Sequence, residues 1–214
     1  MEARLSDIPT PTLKRLPMYY RELMRAMQVG KHKISSTELG ILLEIPSTQV
    51  RKDLGYLADQ GRPGVGYDVK RLAATLEHFL ALSQPKKAAL AGVGNLANAL
   101  IHFPGFQQYG LHLTMLFDND PAKIGNQIAG LTIHAISDLA DMLMANKIPI
   151  GIITTPTEAA QQVTDLMVAG GVQSIWNFAP ITLKVPESIF VVNQDLSVEL
   201  AILSYRTAQN NPSH

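Results

Sequence analysis

Residues 92–97 read Gly92-Val93-Gly94-Asn95-Leu96-Ala97, between a short apolar run at 87–91 and a helical stretch at 98–103. This is the G-x-G-x-x-A form of a dinucleotide-binding turn. The first glycine permits the tight turn, the second lets a pyrophosphate approach the backbone, and the third small residue lets helix and strand pack closely. The pattern alone is weak, but a second apolar run, 111–117, ends at Asp118, 21 residues after Ala97. A carboxylate there accepts hydrogen bonds from ribose hydroxyls and repels a 2′-phosphate, which selects NAD(H) over NADP(H). Asn119, Asp120 and Lys123 extend the set at the adenosine end.

These residues need a frame. After 117, a helical stretch at 137–146, an apolar run at 150–154, a helical stretch at 157–169 and runs at 174–178 and 189–192 alternate as in a parallel sheet with covering helices. The segments Thr154-Thr155-Pro156 and Asn177-Phe178-Ala179-Pro180 then fall at the carboxyl edge, where doubly wound folds bind ligands. They are candidates for the nicotinamide end, although Pro and Asn also suit plain turns. A last stretch, 195–206, places Leu196, Leu200 and Leu203 at helical spacing.

Ahead of Pro85 the pattern changes. Residues 12–29 carry Leu13, Leu16, Tyr20, Leu23, Met24 and Met27 at helical spacing. The segment Ser35-Ser36-Thr37-Glu38 offers an N-cap hydroxyl to a short helix with Leu39, Leu42 and Leu43, and Ile45-Pro46 ends it. Ser47 then caps a third helix, 48–57, whose Val50, Leu54 and Leu57 form one stripe. Two short helices across a tight turn predict a helix-turn-helix. Ser47, Thr48, Gln49, Arg51 and Lys52 lie at the leading end of its second helix, where side chains meet base edges and phosphates. The Gly-rich segment 61–69 predicts a β-hairpin wing, with Arg62 placed to enter a minor groove. Taken singly, these cations read as solvated surface charges; the ordered layout points to DNA.

Charge supports the division. Residues 1–71 hold 12 Lys/Arg and 8 Asp/Glu, a net +4, and residues 72–214 hold 6 and 10, a net −4. The absence of cysteine excludes disulfides and thiolate metal sites. No His/Asp/Glu set has metal-ligand spacing, and Asp118-Asn119-Asp120 lacks the glycine and distal glutamate of a calcium loop. No metal and no catalytic residue is expected. The opening residues lack the apolar core of a signal peptide and no run is long enough to span a bilayer, so a cytoplasmic protein is expected.

In order along the chain, IPTPTLKRLPMYYREL, STQVRKDLGYL, GRPGVGYDV, AGVGNLANAL, FDNDPAKIG, TTPTEAAQ and NFAP resemble the Rex family of redox-sensing repressors. The resemblance runs from about Ile8 to Tyr205. It implies a winged helix-turn-helix domain at 1–84, a Rossmann NAD(H)-binding domain at 85–193, and a dimerisation helix and tail at 194–214, exchanged between subunits. It also implies a homodimer that binds palindromic operator DNA and leaves it when NADH binds. By the same resemblance Tyr56, Gly64 and Tyr67 join the DNA-binding set, and Arg21 and Asp195 pair between subunits as a switch. Ala97, Gly55, Pro63 and Phe103 depart from the commoner family residues; at Phe103 some relatives carry a tyrosine.

The competing reading is an NAD-dependent oxidoreductase with an accessory nucleic-acid-binding domain. A dehydrogenase needs a positioned acid or base. His102, His112 and His134 have no evident orienting acid, and the chain that would hold a substrate domain is spent on the helix-turn-helix.

Overall fold

The computed structural model describes residues 8–57, 61 and 65–209. They form two compact units that divide between Gln84 and Pro85.

The first unit opens with α1 (Thr10–Gln28), preceded by Pro9, with a second proline in its first turn, where the missing N–H costs nothing. Two-residue β1 (Lys33–Ile34) leads to α2 (Ser36–Leu43), whose N-cap Ser35 accepts from Glu38 N at 3.0 Å. Then come α3 (Ser47–Gly55), two-residue β2 (Tyr67–Asp68) and α4 (Val69–Phe79). Leu16, Tyr19, Leu23, Leu39, Val50, Leu54, Leu72 and Leu76 make a closed core in which each is fully buried.

Several expectations change here. Ser47 is the first residue of α3 and makes no side-chain cap; Pro46 precedes it. Leu42, Met24 and Met27 are exposed, because the stripe that faces the core runs through Leu39 and through Tyr19, Leu23 and Ala26 instead. In the wing segment, Tyr67–Asp68 pairs antiparallel with Lys33–Ile34, 33 residues upstream. α4 was not among the expected elements; Asp68 caps it by accepting from Arg71 N at 3.0 Å, and it buries Val69, Leu72, Ala73 and Leu76. Arg62, Pro63 and Gly64 lie outside the described residues.

The second unit is a doubly wound sheet. Its strands are β3 (Lys86–Ala91), β4 (Leu111–Asp118), β5 (Gln127–Ile128), β6 (Leu131–Ala135), β7 (Ile150–Ile153), β8 (Ser174–Asn177) and β9 (Phe190–Asn193), in the order β5-β6-β4-β3-β7-β8-β9. All neighbours are parallel except the β5–β6 edge pair. Helices α5 (Asn95–Ile101) and α6 (Gly105–Gln108) follow β3, while α7 (Leu139–Asn146) and α8 (Thr157–Ala169) flank β7. One apolar cluster joins Phe117, Leu139, Leu143, Ile153, Val163 and Met167; another joins Ala88, Leu90, Ala97, Leu116 and Ile152. Both faces of the sheet are therefore covered, which suits strands such as β3, whose Ala88–Ala91 run is wholly buried. The order reverses at β3, so the crevice between β3 and β7 is the topological switch point.

The chain ends in α9 (Leu196–Gln209). Val198, Leu200, Ile202, Leu203 and Tyr205 on it are each more than half exposed.

Candidate functional site: a dinucleotide cleft and a recognition helix

β3 ends at Ala91, and the chain turns through Gly92 at φ +94°, a conformation that a Cβ opposes. A Cβ there would also lie 2.7 Å from Thr155 N and 2.8 Å from Thr155 Cγ2, because the loop after β7 closes on this turn. Thr154 secures that approach: its hydroxyl donates to Gly92 O at 2.8 Å, and its N–H donates to Ala91 O at 2.9 Å. Gly94 is different. Its backbone is extended, and a Cβ would meet nothing within 4 Å. Neither folding geometry nor packing calls for glycine there, so its missing side chain leaves space for something outside the protein. α5 begins at Asn95, three residues earlier than expected, and its first intrahelical bond is Asn98 N to Gly94 O at 3.0 Å. The first-turn N–H groups thus open beside that space, where a phosphate is favoured.

Asp118 closes the far side. It is 5% exposed; Oδ2 accepts from Val93 N at 2.7 Å and Lys123 Nζ at 3.1 Å, and Oδ1 from Asp120 N at 2.9 Å. Burial alone would raise its carboxyl, but the Asp120 N–H, the Lys123 ammonium and the Val93 N–H outweigh it and hold the group below its ordinary value. The carboxylate therefore stays charged at neutral pH at the end of β4, the position from which it reaches a ribose diol.

Gly92, Gly94, Asp118, Asn119, Asp120, Lys123, Thr154, Thr155 and Pro156 line one cavity of about 610 Å³. Ile136, Ala159, Gln162, Val163 and Leu166 complete its wall. These were not among the expected residues; the α8 members fall on the periodic face of a helix that follows β7, and that topology is the signal that points to them. The remaining motif residues act behind the lining. Val93 and Ala97 are buried in the core, with Ala97 letting α5 pack down on the sheet, while Asn95 is exposed and Leu96 half-buried. Thr155 Oγ1 is buried in the cavity wall without a hydrogen-bond partner. An orphaned hydroxyl and a glycine facing open space are what a polar, phosphate-bearing ligand would complete, so the residues present fit NAD(H).

The loop 177–180 does not line this cavity. Asn177 is fully buried, and its amide is consumed internally: Nδ2 donates to Ala179 O, Ile181 O and Asn193 Oδ1, and Oδ1 accepts from Ala179 N. It braces the strand end. Phe178 packs on Trp176 at 4.6 Å, Ala179 is buried and Pro180 is exposed. His102, His112 and His134 are not cavity residues; His134 packs against the Phe117 ring. Among the described residues no cluster of three or more His, Asp or Glu could hold a metal ion.

In the first unit, α3 presents Thr48, Arg51 and Lys52 to solvent, with Tyr56 just beyond its end. Arg51 Nη1 donates to Ser36 Oγ at 3.1 Å and to Ser47 Oγ at 3.4 Å, linking the starts of α2 and α3. Two expected DNA residues are less exposed, Gln49 half-buried and Tyr67 buried. Gln49 donates its amide to Asp53 at 2.8 Å, because the i+4 position on this helix is a buried acid, and Tyr67 is in the core. Sequence reasoning passes over Asp53, which is fully buried and accepts from Thr12, Arg15, Tyr19 and Gln49. An acid amid the apolar stripe of a short helix is the one sign of it. Arg21 is half exposed, with Nε 3.5 Å from Glu22 Oε1, and Asp195, just ahead of α9, accepts from Ser197 N and Oγ at 2.9 and 2.6 Å.

Comparison with known proteins agrees with this division. Residues 83–181 match the family described as the CoA binding domain, and residues 7–55 match the putative DNA-binding protein N-terminus. The redox-sensing transcriptional repressor Rex of Rhodopirellula baltica is 41% identical over 95% of this chain and 86% of its own. The protein of that name from Streptomyces griseus is 43% identical over 94% of this chain and 80% of its own. Among solved structures, RSP in complex with β-NAD⁺ and operator DNA aligns at a TM-score of 0.90, with 33% identity over 95% of this chain and 94% of that one. RSP with β-NADH aligns at 0.85, with 32% identity over 95% of this chain and 96% of that one. With 41–43% identity across nearly its whole length, through both the recognition-helix unit and the dinucleotide cleft, this chain belongs to the Rex family of redox-sensing transcriptional repressors.

Proposed function

We propose that this protein is a transcriptional repressor that reads the NADH/NAD⁺ ratio in the cytoplasm: as a homodimer it holds a palindromic operator, and NADH binding releases it. The chain is a regulator and not an enzyme; its relatives are named repressors, and the oxidoreductase alternative is not favoured. Residues 1–84 carry the winged helix, residues 85–193 bind NAD(H), and residues 194–214 supply a dimerisation helix exchanged between subunits. The observation that carries the cofactor reading is Gly94, open to space beside the charged Asp118.

NADH and NAD⁺ differ by one positive charge on the nicotinamide ring. A closed apolar pocket disfavours the charged ring, since desolvating a cation is costly. To act as a switch, the preference must differ between the DNA-competent state and the released state. Dimeric helix-turn-helix proteins need recognition helices roughly 34 Å apart, so a modest rotation is enough to break operator contact. Support for the DNA reading comes from the net +4 of residues 1–71 and from the cations on α3.

The test is a gel-shift titration of an inverted-repeat operator at stated salt, because affinity without salt is uninterpretable. NADH is expected to weaken binding far more than equal NAD⁺. Equal effects of the two would refute the proposal, and turnover of NAD⁺ with an alcohol or hydroxy acid would favour the oxidoreductase.

A further inference from the structure

Asp53 lies on the recognition helix, yet it is fully buried and takes no part in the cofactor cleft. Five hydrogen bonds converge on it. Oδ2 accepts from Arg15 Nε at 2.6 Å and Tyr19 OH at 2.7 Å. Oδ1 accepts from Arg15 Nη2 at 2.8 Å, Thr12 Oγ1 at 3.0 Å and Gln49 Nε2 at 2.8 Å. Burial alone would raise this carboxyl, but the Arg15, Tyr19, Gln49 and Thr12 donors outweigh it and hold it at about 2. It is therefore ionised at neutral pH, and an ionised carboxylate only accepts. A primary amide that faces it must present its NH₂ group. For most glutamines either end of the amide can turn to a partner; for Gln49 the choice is already made.

We infer that Asp53 is a positioning residue that fixes the Gln49 amide, so that the recognition helix offers a carbonyl oxygen, an acceptor, to DNA base edges. The inference rests on the DNA-binding reading above and adds a base preference to it. Gln49 is half-buried and lines an open cleft between the start of α1, with Thr12 and Arg15, and the edge of α3 that carries Lys52 and Tyr56, so its amide stands beside the solvent-facing cation Lys52. In the major groove the exocyclic amino groups of adenine N6 and cytosine N4 are donors, whereas guanine O6 and N7 and thymine O4 are acceptors. On the strand that Gln49 reads, the fixed carbonyl therefore favours adenine or cytosine over guanine or thymine, and adenine most, because the second amide N–H beside the carbonyl can donate to adenine N7.

The experiment uses the full-length protein, at fixed salt, on a panel of operators in which every half-site position carries each base. Wild type, Gln49→Met and Asp53→Asn are compared, with melting temperature and NADH binding as checks on folding. Wild type is expected to disfavour guanine or thymine at one position by about fivefold or more, the lower bound for one good base contact. Gln49→Met should bring that position to within about twofold and leave the other positions unchanged, as expected when well-separated positions contribute additively. An asparagine at 53 both donates and accepts, so it lets the Gln49 amide turn over. Asp53→Asn should therefore raise guanine or thymine relative to adenine or cytosine at that position, whereas loss of a merely structural role would weaken every sequence alike. A Gln49→Met profile that matches wild type overturns the inference alone, and this holds even if Asp53→Asn does not fold. Failure of wild type to bind any duplex overturns the DNA reading, and the inference with it.

Discussion

At the residue scale, the two glycines of the turn answer to different constraints and should fail differently. Gly92 is held by its φ of +94° and by Thr155, 2.7 Å from where a Cβ would stand, so Gly92→Ala strains the fold itself. Gly94 is in extended backbone with open space beyond, so Gly94→Val should cost little stability, about the fraction of a kcal/mol by which glycine surpasses valine at an N-cap. The same change should weaken NADH binding by roughly tenfold or more, because the branched side chain fills the room a pyrophosphate needs. Calorimetric titration of NADH into both variants checks this; a Gly94→Val protein that binds NADH as wild type does would remove the main support for the cleft. Most of this site is legible in the sequence, because the glycine spacing and the acid after the second strand are local patterns. The Asp53 cluster is not, since its donors come from Thr12, Arg15 and Tyr19, 34 to 41 residues away, and only the packing of α1 on α3 brings them together. Asn177 shows the limit of a position-based reading: a strand end suggests a ligand site, while the hydrogen bonds of its amide, to Ala179, Ile181 and Asn193, are a tertiary feature that no local pattern displays.

At the scale of elements, the Asp53 cluster is what pins the recognition helix to α1, and its ionisation gives that pinning a pH range. The carboxyl stands at about 2 against an ordinary 3.8, so its folded value is depressed. Stability from this source is fully present above the ordinary value and is lost as pH falls through about 2. By linkage the depression is worth about 2 kcal/mol. Circular dichroism melts of the full chain between pH 5 and pH 2 should show the first unit losing stability across that range, and Asp53→Asn should start lower and lose less. α9 makes a second prediction. Leu200 and Leu203 are each over 60% exposed on a helix that keeps regular spacing, an arrangement that a partner surface would cover. Leu200→Glu with Leu203→Glu should shift the protein from dimer to monomer in sedimentation, while NADH still binds. The α/β alternation that frames these elements is readable because its strands are buried runs bounded by turns. The two-residue strands β1, β2 and β5 are not, since two residues define no period. α4 carries readable spacing at Val69, Leu72, Ala73 and Leu76, but it begins directly behind the Gly-rich segment, where a hairpin reading absorbs its first residue.

At the scale of the whole molecule, a repressor of this kind must connect a ligand in one unit to helix spacing in the other, and the proposed link is Arg21 with Asp195 of the partner. Arg21 is half exposed and has only a long 3.5 Å approach to Glu22, which Arg25 already engages at 2.8 Å. Asp195 is held below its ordinary value by the Ser197 hydroxyl and N–H, so it remains charged at any physiological pH, and it stands where α9 begins. A contact between two such groups is screened by salt and modest in isolation, but a switch needs only a difference between two states. Arg21→Asp and Asp195→Arg should therefore each change the NADH concentration that releases the operator, in the same direction. The double exchange should restore much of the wild-type response, with a coupling of about 0.5–1 kcal/mol between the sites. Operator release is the measurement, taken at two ionic strengths, and the coupling should shrink at the higher one. Coupling near zero at both would separate the two residues. The route from cofactor to recognition helix would then have to run through the packed elements of each chain instead of across the dimer.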